Sequence, residues 1–429
     1  MHSPAIAQRR IFPVALGLAL LAPAAGAVPF GIPDARGMAL GGAAVALANS
    51  RTAAFYNPAL LARHAGEEDD SGENSLTVPI LSGVVADQAF DFVDYEDQNF
   101  HDQLRAAMTE YNSSFSSAAA QRVANISSDL NNALNDLANE NAAGDLHAGL
   151  AIAIPSLAKG GSFFVVSRAV GIGRIDLTEH DKALLDAYVE GMTFVASGGT
   201  QGSEQPQLFD DNGQLLDLTD TLDSIIRGTG LLSTEVGVAL SNTAHVGKHE
   251  LHWGVAPKIQ SIATYDYLHT VHDDNATVTR SDTAKTRLNV DLGAAAAHGD
   301  HWLAGLSIKN LIPRDVPTAR GEEIELRPNV RAGIAYATQR YVVGADLDML
   351  PNPALAIEDD NQFLGLGAEL NANAWLSLRG GIKVDMRNAS THNLLSAGLG
   401  VAFKRGFFDI AVGKGSSSVM FAAQLGFLF

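Results

Sequence analysis

From residue 146 to the end of the chain, apolar and polar positions alternate with period two in segments of about ten residues, the pattern of a strand with two unlike faces. The segments lie near 146–155, 161–171, 232–241, 249–262, 285–297, 301–311, 328–337, 341–349, 362–371, 375–386, 394–403, 406–413 and 418–428. One more, "SLTVPILSGVV" at 75–85, precedes them, so the pattern predicts fourteen strands. Their connections alternate in length. Those at 86–145, 172–231, 263–284, 312–327 and 350–361 are long or intermediate, and those at 156–160, 242–248, 298–300, 338–340, 372–374 and 404–405 are short. A soluble sandwich has no reason to alternate in this way. An outer-membrane barrel does, because an even number of strands is joined by tight periplasmic turns and longer extracellular loops.

The faces agree with that architecture. In "LNVDLGAA", Leu288, Val290 and Leu292 alternate with Asn289, Asp291 and Gly293. In "LSLRGGIKVDM", Leu376, Leu378, Ile382, Val384 and Met386 oppose Ser377, Arg379, Gly381, Lys383 and Asp385. Apolar-out and polar-in is what a barrel needs when lipid is its outer solvent. The predicted lumen face collects Lys258, Arg287, Asp291, Lys309, Arg331, Asp346, Asp348, Glu369, Arg379, Lys383 and Asp385. Both charge signs are present, and pairing across the lumen is expected because isolated charges in a confined interior are costly. In the last segment, "VMFAAQLGFLF", the apolar face ends in Phe427 and Phe429. A final strand ending in Phe resembles the signal read by the outer-membrane barrel assembly machinery. The predicted fold is therefore an all-β, about fourteen-stranded antiparallel outer-membrane barrel whose first partner is membrane lipid.

Two connections are too long to be turns. In the first insertion, 86–145, the period turns helical over roughly 100–138. Phe100, Leu104, Met108, Tyr111, Phe115, Ala119, Val123, Ile126, Leu130, Leu134 and Leu137 form the stripe, opposite a face of Ser, Asn, Gln and Asp. Lacking the Lys and Arg of a membrane-surface helix, it reads as a helical hairpin or lid packed on the barrel. The second insertion, 172–231, carries a short amphipathic helix at "DKALLDAYVEGM" and a turn at Asp211-Asn212-Gly213. Asp210 and Asp211 lack the spacing of a calcium loop. "HDDN" (272–275) and "HGDH" (298–301) read as solvated loop and turn residues, so neither a metal nor any other cofactor is expected.

Composition narrows the class. Charged residues are 18% of 429, Gly numbers 41, Cys is absent and the formal net charge is −19. The acidic balance and the lack of Lys/Arg clusters exclude nucleic acid as a partner. Residues 1–27 read as a signal peptide: Arg9 and Arg10, the apolar run "IFPVALGLALLA", then a cleavage site at Ala25-Gly26-Ala27. Cleavage near Ala27 and passage to the bacterial outer membrane are expected. Beyond it no apolar run long enough for a membrane-spanning helix recurs.

Residues 28–62 are apolar, rich in small residues and without a clean period. An apolar tail cannot easily stay in the periplasm, and a barrel of this strand count has an interior wide enough to need a plug or hold a ligand. The segment is therefore predicted to be a hatch inside the barrel, leaving 63–429 for the barrel and its insertions. Gly41 and Gly42 would allow close approach to the wall, and Asn57-Pro58 would turn the chain.

The stretch "DARGMALGGAAVALANSRTAAFYNPALLA", with Ala53-Ala54-Phe55-Tyr56-Asn57-Pro58-Ala59 at its centre, is similar to the N-terminal hatch of FadL-like outer-membrane channels for long-chain fatty acids and aromatic hydrocarbons. The order of hatch, first strand, helical insertion and "AGLAIAIPS" (148–156) resembles their TraF-like branch, labelled conjugal transfer proteins. The resemblance implies a fourteen-stranded barrel and passive uptake of small hydrophobic molecules, with Phe55, Tyr56 and Asn57 as the moving element. The TraF-like label implies the alternative, an envelope structural or assembly protein of a transfer or secretion system that contacts envelope proteins through 86–145. The dense lumen charge weighs against an apolar path through midbarrel. A hydrolase is not expected: His147, His252 and His301 are present without a nucleophile elbow or H-E-x-x-H spacing.

Overall fold

The computed structural model describes residues 29–429 except 64–73, 140, 156–158, 218, 247–248, 272–276, 282–284, 322, 353–359 and 389–392. The leader and "HDDN" at 272–275 lie outside the described residues. The wall begins with β1 (Ser75–Ala86), β2 (Ala142–Ile154), β3 (Gly161–Asp176), β4 (Ile225–Val246) and β5 (His249–Thr270). A short β6 (Thr277–Arg280) is followed by β7 (Lys285–His298) and β8 (Trp302–Lys309), then by a hairpin of β9 (Arg314–Pro317) and β10 (Glu323–Leu326). The remaining wall is β11 (Asn329–Ala337), β12 (Tyr341–Asp348), β13 (Phe363–Asn373), β14 (Leu376–Asp385), β15 (Leu394–Phe403), β16 (Gly406–Gly415) and β17 (Ser418–Leu428).

Fourteen of these strands close into one antiparallel barrel, with β1 on β17 and β4 on β5 completing the ring. Closure leaves no sheet edge to the lipid, where an unpaired backbone group would cost several kcal/mol (order of magnitude). The faces divide as the alternation predicts: Leu288, Leu395 and Val412 are exposed on the outside, while Asn289, Asp291 and Asp409 are buried inside. Phe429 N–H bonds to the Asn74 carbonyl at 3.0 Å, so the first and last strands share the end that carries the short turns.

The wall is uneven. β4 and β5 have 22 residues each, whereas β8 and β12 have 8. At a rise of about 3.3 Å per residue and a tilt near 40°, 22 residues climb roughly 55 Å, about twice the height of a lipid-facing belt. The tall side carries the insertions. β3 runs on to Asp176 and β4 starts at Ile225, so the second insertion is 177–224 rather than 172–231. Gly171, Gly173, Gly228 and Gly230 dilute the alternation there while the paired backbone continues.

The first insertion folds as α4 (Asp87–Gln98), α5 (Phe100–Ser114) and α6 (Ser117–Asn139), and the second supplies α7 (Glu179–Ala196); α1 to α3 lie in the segment before β1 and are described below. The sequence pattern did not mark α4, whose acidic run masks its apolar positions. Leu104, Met108, Tyr111, Val123, Leu130 and Leu134 are buried against Leu185, Tyr188 and Met192 of α7. Phe115 departs from the stripe: it is the left-handed residue that ends α5, and it is 45% exposed. This cluster rests on the outward face of the tall strands, through Ile175 and Ile226. The β9–β10 hairpin takes the opposite face, where Val316 and Ile324 pack on Ile172, Leu231 and Ile262 and close the top of the lumen. Thr264 Oγ1 donates to the Pro317 carbonyl at 3.0 Å, and Arg320 N–H to Asp266 at 2.9 Å, tying the hairpin down.

Candidate functional site

Residues 29–63 occupy the lumen as three short helical turns joined by bends: α1 (Ala35–Ala39), α2 (Ala53–Tyr56) and α3 (Leu60–Arg63). Asp34 caps α1, accepting from the Arg36 and Gly37 N–H groups at 3.1 Å each. Small residues let the segment lie flat on the wall. Gly41 and Gly42 have φ of 63° and 81°, a region that side chains other than glycine's rarely adopt. The wall reciprocates: a Cβ on Gly381 would come within 2.2 Å of the Gly41 nitrogen, and one on Gly293 within 2.1 Å of Asn57 Oδ1.

An irregular segment brings backbone groups that no regular element satisfies, and buried groups of this kind must find partners. The lumen side chains supply them. Asp346 accepts from Ala44 and Val45 N–H at 2.7 Å each. Lys309 Nζ donates to the Phe55 carbonyl at 2.7 Å, and Ser307 Oγ donates to the Tyr56 carbonyl. Asn57 Nδ2 bridges the Val45 carbonyl (2.9 Å) and the Ala294 carbonyl of β7 (3.1 Å), while its Oδ1 accepts from Ala59 N–H. Pro58 follows against Gly254, and Phe55 meets Phe164 edge-on at 5.7 Å. The Tyr56 hydroxyl donates to Asp34. Burial pushes the Asp34 carboxyl above its ordinary range and the Tyr56 hydroxyl well above its own, so Tyr56 keeps its proton as the donor.

The charges pair as an interior requires, though largely with neighbours and with the segment inside. Arg379 joins Glu369 (2.6 Å) and Asp409 (2.5 Å), and Arg36 of α1 reaches the same Glu369 at 2.8 Å. Arg331 pairs with Asp348 at 2.6 Å and stands 4.4 Å from the Phe30 ring centre. Lys258 lies 2.9 Å from Asp291 and 3.0 Å from Glu235. Three residues of the same face sit elsewhere: Arg287 is exposed high on β7, Lys383 covers the Phe363 ring at 3.7 Å, and Asp385 accepts from Gln362 and Arg387 N–H in the outer turn. Phe427 and Phe429 face outward at the foot of β17 and are exposed.

Sequence reasoning passed over Asp34 and Arg36, two charges in an otherwise apolar stretch; that contrast was the available signal. It also passed over Asp409 and the Asp145–Arg168 pair (2.7 Å), where Arg168 donates to the Pro29 carbonyl at 2.6 Å. Among the described residues no group of His, Asp and Glu could hold a metal. "HGDH" forms the turn between β7 and β8, with Gly299 at φ 61°.

Between the segment and the hairpin, Phe30, Phe55, His147, Arg168, Glu235 and Lys309 enclose a cavity of ≈ 80 Å³. An apolar cavity of about 150 Å³ is the size that admits a benzene. This cavity is therefore too small as it stands for a monoaromatic molecule.

The family described as "F plasmid transfer operon, TraF, protein" matches residues 54–348. No curated protein matches the chain in sequence. Among solved structures, the toluene transporter TbuX of Ralstonia pickettii superposes with a TM-score of 0.50 at 12% identity, over 93% of this chain and 99% of that one. The toluene transporter TodX of P. putida gives a TM-score of 0.44 at 11% identity, over 93% and 97%. The first of these likenesses shows that the closed antiparallel barrel is a fold shared with TbuX.

Proposed function

The chain belongs to the family of F plasmid transfer operon TraF proteins, and from the barrel fold it shares with TbuX and the segment seated in its lumen we propose that it is a passive outer-membrane channel for small hydrophobic molecules, closed at rest by its own N-terminal hatch. The observation that carries this reading is the way the hatch is held. It adds no strand to the wall; Asp346 of β12, Lys309 and Ser307 of β8 and Ser396 of β15 bond its backbone, while its own Asn57 and Arg36 side chains reach β7 and Glu369 of β13. Such bonds can be exchanged for water one by one while the barrel stays closed, so the plug is separable from the pore. TbuX, whose fold the chain shares, is a toluene transporter. A monoaromatic hydrocarbon is accordingly the ligand class to try first.

Opening in this scheme releases Phe55–Pro58 from β7 and β8. Lys309, Ser307 and Ala294 lose their hatch partners, and the small cavity under the hairpin joins the space beneath. No bond is made or broken in the solute, so no catalytic residue is invoked. The experiment is toluene uptake by cells carrying the wild-type protein, Asn57→Ala, or no barrel. Faster uptake with the wild type than without it supports the channel, and a further rise with Asn57→Ala places the gate at the hatch. Equal rates in all three overturn it.

The second reading, an envelope assembly protein, draws on the operon in the family's name and on the helical cluster that stands outside the barrel. It becomes the working account if uptake fails.

A further inference from the structure

Among the described residues above the hatch, the lumen wall is apolar along one band. Strand pairing sets Val170 beside Leu231 and Leu231 beside Thr264, so these side chains share the inward face of β3, β4 and β5. Ile172 and Ile262 join Leu231 there, and all three are buried. Charged rows bound the band on both sides. Above it, Arg174 pairs with Asp176 at 3.0 Å, and Arg227 reaches the same carboxylate at 2.7 Å. Below it, Arg168 pairs with Asp145 at 2.7 Å and Lys258 with Glu235 at 3.0 Å. The charged rows find their partners on the wall. The band is covered instead by the hairpin, through Val316 of β9 and Ile324 of β10.

That cover is built to come away. β9 and β10 are four residues each and pair with each other in a sheet of their own, outside the barrel's ladder. Two strands alone are marginal in water, so the hairpin owes its order to what it rests on. Its tip is fastened by the Thr264–Pro317 and Arg320–Asp266 bonds and by Arg320 Nη2 on the Tyr267 carbonyl at 2.7 Å. Arg314 Nη2 donates to Gln260 Oε1 at 2.6 Å. Leu231, Ile262 and Leu326 of β10 also line the ≈ 80 Å³ cavity beneath. Band and cavity are thus one hollow, divided by the hairpin's own side chains. With Val316, Ile324 and Leu326 withdrawn, the hollow gains their volume and has apolar walls from Ile172 down to Phe30 and Phe55.

We propose that the band of Ile172, Leu231 and Ile262 is the first lumenal binding site of an uncharged apolar solute, and that Val316 and Ile324 fill it until the solute takes their place. The hairpin is then an internal competitor rather than a fixed roof. Charge selects the solute: an ion would have to break into Arg174–Asp176 or Arg168–Asp145, whereas an uncharged solute exchanges one apolar contact for another. The class of solute rests on the uptake reading.

The chain has no cysteine, so a pair introduced as Thr264→Cys/Thr318→Cys can be clamped with a short bis-methanethiosulfonate and released by reduction, in the full protein in detergent. The probe is 3-trifluoromethyl-3-phenyldiazirine, an uncharged aromatic photolabel, and labelled peptides are mapped with and without excess toluene. Labelling at Ile172, Leu231 and Ile262 should fall several-fold with toluene, whereas labelling at Ile334, exposed on the outer face, should not. Clamping should cut the lumenal labelling several-fold. Reduction of the same sample should restore it, which separates a clamped hairpin from a misfolded protein. Val316→Ser/Ile324→Ser weakens the competitor and should raise the labelling. Lumenal labelling that toluene does not compete, or that is equal in clamped and released protein, overturns the proposal. So does toluene-competed labelling confined to the outer face around Phe92, or to the hatch. Toluene uptake by cells is read on the same pair. Uptake lost on clamping and regained on reduction supports the hairpin site. Uptake unchanged by the clamp sends the solute by another path, so the site falls while the channel stands. Toluene-competed labelling in a protein that takes up no toluene supports the site and overturns the channel.

Discussion

The hatch and the helical cluster are both extra segments docked on the same barrel by apolar burial, yet only the hatch adds a dense set of buried polar bonds. The hatch buries Ile32, Met38, Leu40, Leu47, Leu60 and Leu61 against the wall, and to that packing it adds directional bonds: Asp346 to two N–H groups, Asn57 to two carbonyls, Arg36 to Glu369. The cluster is built of Leu, Met and Tyr that bury one another, with its salt bridges at the surface. Hydrophobic burial is non-directional and is lost only when the elements separate. Hydrogen bonds and buried ion pairs have a small net worth while intact and a large cost when one partner goes missing. The polar bonds therefore fix where the hatch sits and can be broken one at a time, whereas the cluster yields only as its burial is lost.

The sharpest test of that contrast is Arg379→Met. Arg379 is the cation between Glu369 and Asp409, both buried, and its removal leaves two carboxylates facing each other beside Arg36. Removing one member of a buried ion pair costs about 3–5 kcal/mol. Hydrogen exchange should speed up across 35–48, and ion conductance should appear in planar bilayers. Exchange in α5 and α6 should not change.

Leu104→Ala is the counterpart in the cluster. Leu104 is fully buried in α5, and truncation of such a leucine costs about 3 kcal/mol in transfer and cavity terms. Faster exchange and proteolysis should be confined to 87–141 and 177–224, with the barrel still closed to ions. If the hatch loosens as well, the two segments are coupled through β3 and β4 and the comparison breaks. Asn57→Ala stands below both. It leaves the Val45 and Ala294 carbonyls without this donor, at about 1–3 kcal/mol, and should be read as faster exchange over 44–48 and 53–58 alone.

The two regions also differed in how far the sequence disclosed them. The barrel was legible because lipid outside and a polar lumen inside impose period two on every strand, as in Leu288–Leu292 and Leu376–Met386. Most of the cluster was legible because Phe100 to Leu137 follow the helical period, and Phe115 fell out only because a left-handed turn ends α5 there. The hatch had no period to read. Its place followed from what an apolar segment before the first strand can do, and its partners were not legible at all. Which wall residue meets Ala44 or the Phe55 carbonyl depends on the closed register of fourteen strands. The row of glycines on the outward face of the tall strands was hidden for a related reason: Gly144, Gly171 and Gly230 are far apart in the chain, and only pairing sets them side by side.

The smallest predicted effect sharpens the comparison by moving the same chemistry into water. Arg105 of α5 pairs with Asp217 (3.4 Å) and Asp220 of the second insertion, a guanidinium with two carboxylates like Arg379. Here the partners are 39%, 42% and 74% exposed. Exposed pairs are worth about 0–1 kcal/mol and are screened by salt. Arg105→Ala should therefore shift exchange in α5 barely above error in dilute buffer, and molar salt should abolish even that difference. The Arg379→Met effect should survive the same salt, because ions do not reach Glu369 and Asp409 behind the seated hatch. A salt-sensitive Arg379→Met would mean that the lumen is already wet, and the hatch would then be a loose tenant of the barrel.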